Sequence, residues 1–191
     1  FTLNDELALT QLNDNESWGS FTPKVGLEYY FSDENMLYIS ATRGFKSGGY
    51  NADGIGEQFD PEKIWSYEAG MKATWMDSRI RTNLSGFYYD YTDLQVRVRD
   101  PLGTNAIVAN VGSAKIYGLE VQTDSIITEE FSVSLNASYL KTKVADNVFV
   151  YDSFTDDEQD VSGNRLPRAP KWNIGASATY SVPISTGQIT V

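Results

Sequence analysis

The sequence predicts an all-β chain: antiparallel strands running up and down, crossing a membrane as part of a β-barrel. Three observations carry this. Apolar and polar residues alternate with a period of two through most of the chain. The connections between these stretches alternate strictly between short and long. Aromatic residues gather at two heights along the strands.

The period comes first, because successive residues of a strand point to opposite faces. In the stretch from Lys24, Val25, Leu27, Tyr29 and Phe31 oppose Lys24, Gly26, Glu28 and Tyr30. Trp65, Tyr67, Ala69, Met71, Ala73 and Trp75 oppose Ser66, Glu68, Gly70, Lys72 and Thr74. Tyr117, Leu119 and Val121 oppose Gly118, Glu120 and Gln122. Phe131, Val133, Leu135, Ala137 and Tyr139 oppose Ser132, Ser134, Asn136 and Ser138. Trp172, Ile174, Ala176, Ala178, Tyr180 and Val182 oppose Asn173, Gly175, Ser177, Thr179 and Ser181. Two stretches are less regular. Leu37, Ile39 and Ala41 share a face with Arg43, which suits lipid only at the rim. Arg79 to Val98 reads as one strand with Arg79, Arg81, Asn83 and Ser85 in phase with Phe87, Tyr89 and Tyr91. Either a bulge there resets the faces or the upper part protrudes from the membrane.

The short connections are Ser32 to Asn35, Asp77-Ser78, Thr128 to Glu130 and Ser185 to Gly187. The long ones are Lys46 to Asp60, Asp100 to Val108 and Thr142 to Pro170. In a meander this puts every tight turn at one end and every long loop at the other, as in outer-membrane barrels. A strand of about 10 residues, tilted about 45°, covers roughly 23 Å, near the apolar band of such barrels. Phe31, Trp75, Phe131 and Tyr180 fall near short turns, and Trp65, Tyr139 and Trp172 near the long-loop end. Two belts of amphipathic rings match two membrane interfaces.

Composition excludes several classes. The 191 residues contain neither Cys nor His, so disulfide frameworks, thiolate clusters and Ser-His-Asp triads are absent from them. A net charge of −11 argues against a nucleic-acid partner, which requires a basic stripe. No apolar run approaches the roughly 20 residues of a spanning helix. Phe1 to Thr10 show neither a basic start nor an apolar core, so no signal peptide is read there.

Several segments then form an ordered set. Phe21 to Tyr29 runs into Arg43-Gly44-Phe45-Lys46-Ser47-Gly48-Gly49-Tyr50-Asn51 and Phe59-Asp60-Pro61-Glu62. Trp65 to Lys72, Phe87 to Gln95, Asn110 to Glu120 and Arg165 to Pro170 follow. Over residues 20 to 182 this series resembles the barrel of TonB-dependent outer-membrane receptors, the siderophore-receptor branch in particular. The resemblance implies a barrel of about 22 strands with a plugged lumen. This chain, residues 1–191, would be a partial barrel from its C-terminal half. Seven clear strands are counted, with a further one in Thr2 to Leu12 and the start of another at Gln188 to Val191. The plug, the TonB-contacting segment and a terminal aromatic are not visible.

What the resemblance implies about function is an importer, not an enzyme. It would bind a scarce nutrient such as a ferric siderophore at external loops and take it up with TonB-coupled energy. Implied partners are outer-membrane lipid, lipopolysaccharide, its own plug domain and the TonB protein; no cofactor is expected. Glu28, Glu68, Lys72, Glu120 and Gln122, with Arg79 and Arg81, would face the lumen. Arg43, Lys46 and Tyr50 are candidates to touch an anionic chelate, since guanidinium forks and flat rings suit it. The same Gly-rich loop (Gly48, Gly49, Gly54, Gly56) also reads as an adaptable surface loop; it lacks the spacing of a phosphate loop. Arg165 and Arg168 close an acidic loop with Asp152, Asp156, Asp157, Glu158 and Asp160, where they pair with acids or meet a ligand. That loop lacks the spacing of a calcium hand and reads as a solvated acidic loop with no metal.

Two rivals remain at this point. One is a complete eight-stranded outer-membrane barrel with a structural or adhesive role, whose last strand must pair with the first. The other is a soluble carbohydrate-binding β-sandwich, whose apolar face must be covered by a second layer.

Overall fold

The computed structural model describes residues 16–51, 57–99, 106–145, 148–152, 155 and 157–191. Those residues contain strands and turns and no helix. In chain order the strands are β1 Lys24–Ser32, β2 Asn35–Lys46, β3 Gly49–Tyr50, β4 Gln58–Phe59, β5 Glu62–Trp75, β6 Ile80–Thr92 and β7 Gln95–Arg99. There follow β8 Ala106–Asn110, β9 Ala114–Ile126, β10 Phe131–Val144, β11 Phe149–Asp152, β12 Asp157–Asp160, β13 Trp172–Ile184 and β14 Gly187–Thr190. One eight-stranded sheet runs β1-β2-β5-β6-β9-β10-β13-β14, and every pair in it is antiparallel. Tight turns close β1–β2, β5–β6, β9–β10 and β13–β14 at one end. Each long connection at the other end carries its own two-stranded hairpin: β3–β4, β7–β8 and β11–β12.

The register fixes two faces. On one, Leu27, Ile39, Ala69, Gly86, Leu119, Tyr139 and Trp172 stand opposite one another in a row across seven strands. On the other, the neighbouring row is Glu28, Tyr38, Gly70, Ser85, Glu120, Ser138 and Asn173. The apolar face is bare: Leu27 is 66 % exposed, Leu119 58 % and Ile174 73 %. A sheet must bury its apolar face against something. Among the described residues neither a helix nor a second sheet covers it, which disfavours the sandwich. The eight-stranded sheet also stays open among the described residues, with β1 and β14 at its two edges. The anticipated strand in Thr2 to Leu12 lies outside the described residues.

Two expectations are corrected. Arg79 to Val98 is not one strand: Asp93 turns left-handed, at φ 56°, and separates β6 from β7. No bulge resets the faces of β6 either. Its pairing with β5 is unbroken from Lys63–Thr92 to Trp75–Ile80. Phe87, Tyr89 and Tyr91 therefore share the face of Arg81, Asn83 and Ser85, while Ile80, Leu84 and Tyr88 join the apolar face. The physical reason is that the rings find partners on the polar side. Phe87 and Tyr89 stack with centroids 4.8 Å apart, and Phe87 lies over Gly118, its cross-strand neighbour.

Gly118 is required by this close approach. A Cβ there would collide with the Tyr139 carbonyl oxygen and stand 2.8 Å from Phe87 Cζ. Gly118→Val is expected to cost about 1–3 kcal/mol through overpacking, read as a lower urea midpoint of the refolded barrel. Gly70 plays the same part beneath Tyr38, whose ring atoms would lie 2.6 Å from an added Cβ.

Candidate functional site: the polar face and the loop assembly at its end

Glu28, Glu68, Lys72, Glu120 and Gln122 fall in phase on the polar face, because each sits at an even step from the others along paired strands. Tyr38, missed in the sequence, ties part of this face together. Its hydroxyl donates to Glu68 Oε1 at 2.5 Å, and the Lys72 ammonium lies 5.8 Å from its ring centroid. A recess of about 290 Å³ opens there, lined by Tyr38, Lys72, Asn83, Glu120, Gln122 and Asn136. Donors and acceptors of both charges converge, so the recess can hold water or a polar segment by hydrogen bonds. Toward the loops, the face becomes aromatic through Phe87, Tyr89 and Tyr91.

The loop end holds most of what is buried. Ile107, Ala114, Val144 and Val148 are each at most 8 % exposed. Three amide side chains key the first two loops together. Asn51 pairs with Val108 as a strand would: its Nδ2 donates to Val108 O at 2.9 Å and its Oδ1 accepts from Val108 N at 2.8 Å. Gln95 Nε2 donates to Ser47 O and Asp60 O, both at 2.9 Å, and the Gln95 N–H donates to Glu62 Oε2 at 2.8 Å. Asn110 Oδ1 accepts from Asp60 N at 2.7 Å, while its Nδ2 donates to Asp60 O and Asp93 O at 2.9 and 2.7 Å. The third loop docks by main chain. Ala145 N donates to Ser113 O at 2.8 Å, Gly163 N to Val144 O at 3.0 Å and Leu166 N to the buried Thr142 hydroxyl at 2.9 Å. In its acidic stretch, the Ser162 hydroxyl and backbone N–H hold the Asp160 carboxyl below its ordinary value. No three acidic side chains among the described residues are placed to share a metal ion.

The anticipated ligand contacts fall on separate elements, Arg43, Lys46 and Tyr50 in β2 and β3, and Arg165 and Arg168 between β12 and β13. Lys46 ends β2 opposite Glu62. Tyr50 lies in β3 with its ring 6.0 Å from that of Trp18. Arg165 Nη2 donates to Ala169 O at 2.7 Å, and Arg168 occupies a left-handed turn at φ 57°. No hydrogen bond or ion pair among the described residues joins the two arginines to Lys46 and Tyr50. Arg43 lies in phase with the apolar face, opposite Trp65 near the loop end of β2, where its Nη1 donates to Phe21 O at 3.3 Å. Gly54 and Gly56 of the first loop, and Asp156 of the third, lie outside the described residues.

Comparison with known proteins gives this geometry a family. A family model described as "TonB dependent receptor-like, beta-barrel" matches residues 2–188. The chain is 29 % identical over 159 residues to the metal-pseudopaline receptor CntO of Pseudomonas aeruginosa, covering 83 % of this chain and 20 % of that receptor. It is 25 % identical over 181 residues to the pesticin receptor of Yersinia enterocolitica, covering 93 % of this chain and 24 % of the relative. Its fold matches the ferric yersiniabactin uptake receptor FyuA of Yersinia pestis with a TM-score of 0.69 at 20 % identity, over 88 % of this chain and 24 % of that one. The chain thus spans between a fifth and a quarter of these relatives. It belongs to the TonB-dependent receptor β-barrel family, proteins of the bacterial outer membrane.

Proposed function

We propose that these residues form part of the wall of a ligand-gated outer-membrane importer, a larger barrel that takes up a scarce metal chelate such as a ferric siderophore with TonB-coupled energy. The observation that carries the reading is sidedness. One face of the sheet is apolar and uncovered, the other is lined by Glu28, Glu68, Lys72, Glu120 and Gln122, and the loops gather at one end. A wall between acyl chains and a water-filled, plugged lumen needs all three. Family and relatives point the same way: CntO and FyuA are named for metal-chelate receptor or uptake roles. The sheet's edges at β1 and β14 would pair with the neighbouring strands of the closed barrel. Its own plug domain would meet the recess at Tyr38 and Lys72.

The chelate would be met by the keyed loops, with Lys46, Tyr50, Arg165 and Arg168 supplying cationic and aromatic contacts. Transport needs no covalent chemistry, so an enzyme's nucleophile or general base is not required. The test is uptake by a strain deleted for the whole gene, supplied with radiolabelled ferric catecholate, hydroxamate and carboxylate chelates. Uptake of one class is expected to fall to background, and to do so equally when the proton-motive force is dissipated. Unchanged, energy-independent uptake of every class would overturn the reading.

A further inference from the structure

The β7–β8 hairpin keeps the register of the ladder beneath it. The β6–β9 ladder ends at Tyr91 opposite Ala114. The hairpin begins at Gln95 opposite Asn110, four residues further along each strand, and runs unbroken to Arg99 opposite Ala106. Neither strand carries an inserted residue, so pairing alone calls for one continuous two-stranded ribbon. The ribbon is nonetheless broken in the middle of that gap. Asp93 is left-handed at φ 56° and Gly112 at φ 94°, and in the shared register these two stand opposite each other. The mismatch is local. Val111 N donates to Leu94 O at 2.9 Å, in register, while Leu94 N donates to Gly112 O at 2.7 Å, one residue out of it. The other left-handed residues that are not glycine among the described ones, Met76, Asp77, Ser78 and Arg168, lie outside any ladder.

Two sets of forces act on this break. Ties to the first loop hold the kink: Asn51 to Val108, Gln95 to Ser47 and Asp60, and Asn110 to Asp60. All of them engage main-chain groups, so each fixes a position as well as adding a bond. At the break itself, Lys63 Nζ lies 3.9 Å from the Asp93 carboxylate. The buried Val148 of the third loop abuts Gly112, where an added Cβ would stand 3.0 Å from Val148 Cγ2. Against these ties stands the backbone. A left-handed aspartate is unfavourable relative to an extended one, and the kink forfeits the ladder pair that Thr92 and Ser113 would make in register. Straightening recovers both without a register shift, and gives up the amide ties. A single register with opposing terms yields two discrete positions, not a continuum.

We infer that β7–β8 is a flap with two positions, hinged at the Asp93–Gly112 pair. In one it is kinked and tied to the first loop, as in this structure. In the other it is straight and carries the β6–β9 ribbon onward. Tyr89 and Tyr91, the last rings of the polar face, lie on β6 directly before the hinge. The position of the flap therefore sets access to the loop end of that face, a gating step of the kind that completes a site around its ligand. As a gate the flap rests on the importer reading, which it deepens; as a hinge it rests on the register and the two left-handed residues.

The test uses the full-length receptor in lipid vesicles, with any native cysteine replaced. Spin labels are placed at the exposed Arg97 on the flap and Glu129 in the β9–β10 turn, and their separation is read by double electron–electron resonance. Arg97 stands about 13 Å along the strand from Asp93, so straightening is expected to lengthen that separation by roughly 5 Å or more. The variant Asn51→Ala, Gln95→Ala, Asn110→Ala is expected to move most of the population to a discrete longer distance. Gly112→Val, which keeps every amide tie but disfavours the left-handed backbone, is expected to do the same; Asp93→Val takes its place if Gly112→Val fails to fold. Labels at Glu34 and Glu129, both in turns at the far end, are expected to keep one distance throughout. Unchanged flap distances in these variants, or a broad featureless distribution from a melted hairpin, overturn the flap. Ferric catecholate, hydroxamate and carboxylate chelates are then added at saturation to the triple alanine variant. The class that the receptor imports is expected to return at least half the population to the shorter distance. An imported chelate that leaves both distances as they were overturns the gating role. A receptor that imports none of the three overturns the importer reading, and the gate with it, while the two positions stand or fall by the variants.

Discussion

Leu119→Arg, introduced into the full-length receptor, is expected to lower barrel stability by about 2–4 kcal/mol, the cost of an arginine near the bilayer midplane. Leu119 is near the middle of β9, 58 % exposed, on the uncovered apolar face. The substitution removes apolar contact with acyl chains and obliges a guanidinium to find water or phosphate from mid-membrane. Gln122→Arg, three residues on, lies on the opposite face, where β6 places Asn83 and β10 places Asn136 across from it. There the new cation is solvated, and the change is expected to stay within about 0.5 kcal/mol. Reversible unfolding of both variants in lipid vesicles by urea gives the comparison. Equal midpoints would show that the two faces do not differ in surroundings.

The double variant Gln95→Ala, Asn110→Ala is expected to loosen the β7–β8 hairpin against the first loop, leaving the Asn51–Val108 pair as its remaining side-chain tie, while the large sheet stays intact. Five side-chain hydrogen bonds disappear: two from Gln95 to Ser47 and Asp60, and three between Asn110 and Asp60 or Asp93. At a net contribution of about 0.5–1.5 kcal/mol each, and allowing for coupling within one network, the local loss is about 3–5 kcal/mol. Hydrogen exchange should accelerate by two orders of magnitude or more at amides of β7 and β8, and not at those of β5, β6 and β9. On the proposed function, affinity for the chelate should fall at least tenfold, because loops already held in place bind without the cost of ordering. Unaltered exchange in the hairpin would mean that the amides decorate a loop held by other contacts.

Much of the fold was legible because a membrane wall imposes a period of two through the middle of most of its strands. Trp172 to Val182 shows this most clearly: each alternate residue is apolar or aromatic, and the structure carries one strand through to Ile184. The turns were legible too, since Asp33-Glu34 and the segment around Asp77-Ser78 interrupt the pattern with turn formers. The face of β6 was harder. Phe87, Tyr89 and Tyr91 keep the phase of Arg81 and Asn83, and only cross-strand partners reveal that aromatic rings can belong to the polar side.

The three loop hairpins were not legible at all. β3 has two residues and β8 five, too few for periodicity to register, and their positions depend on partners about 50 residues away. Asn51, Gln95 and Asn110 look like ordinary polar loop residues until their partners are known. The lumen set was readable from phase, whereas any convergence of Lys46, Tyr50, Arg165 and Arg168 depends on loop docking, about which local sequence is silent.

The most direct test of the account is the environment of each successive residue along one strand. Single cysteines at positions 119 to 124 of β9, in a full-length receptor with any native cysteine replaced, can be spin-labelled and studied in lipid vesicles; residues 1–191 contribute none. Collision rates with oxygen, which concentrates in lipid, are expected to peak at 119, 121 and 123. Rates with a water-soluble nickel complex are expected to peak at 120, 122 and 124. A profile without that two-residue alternation, or with its phase reversed, would contradict a wall set between lipid and lumen.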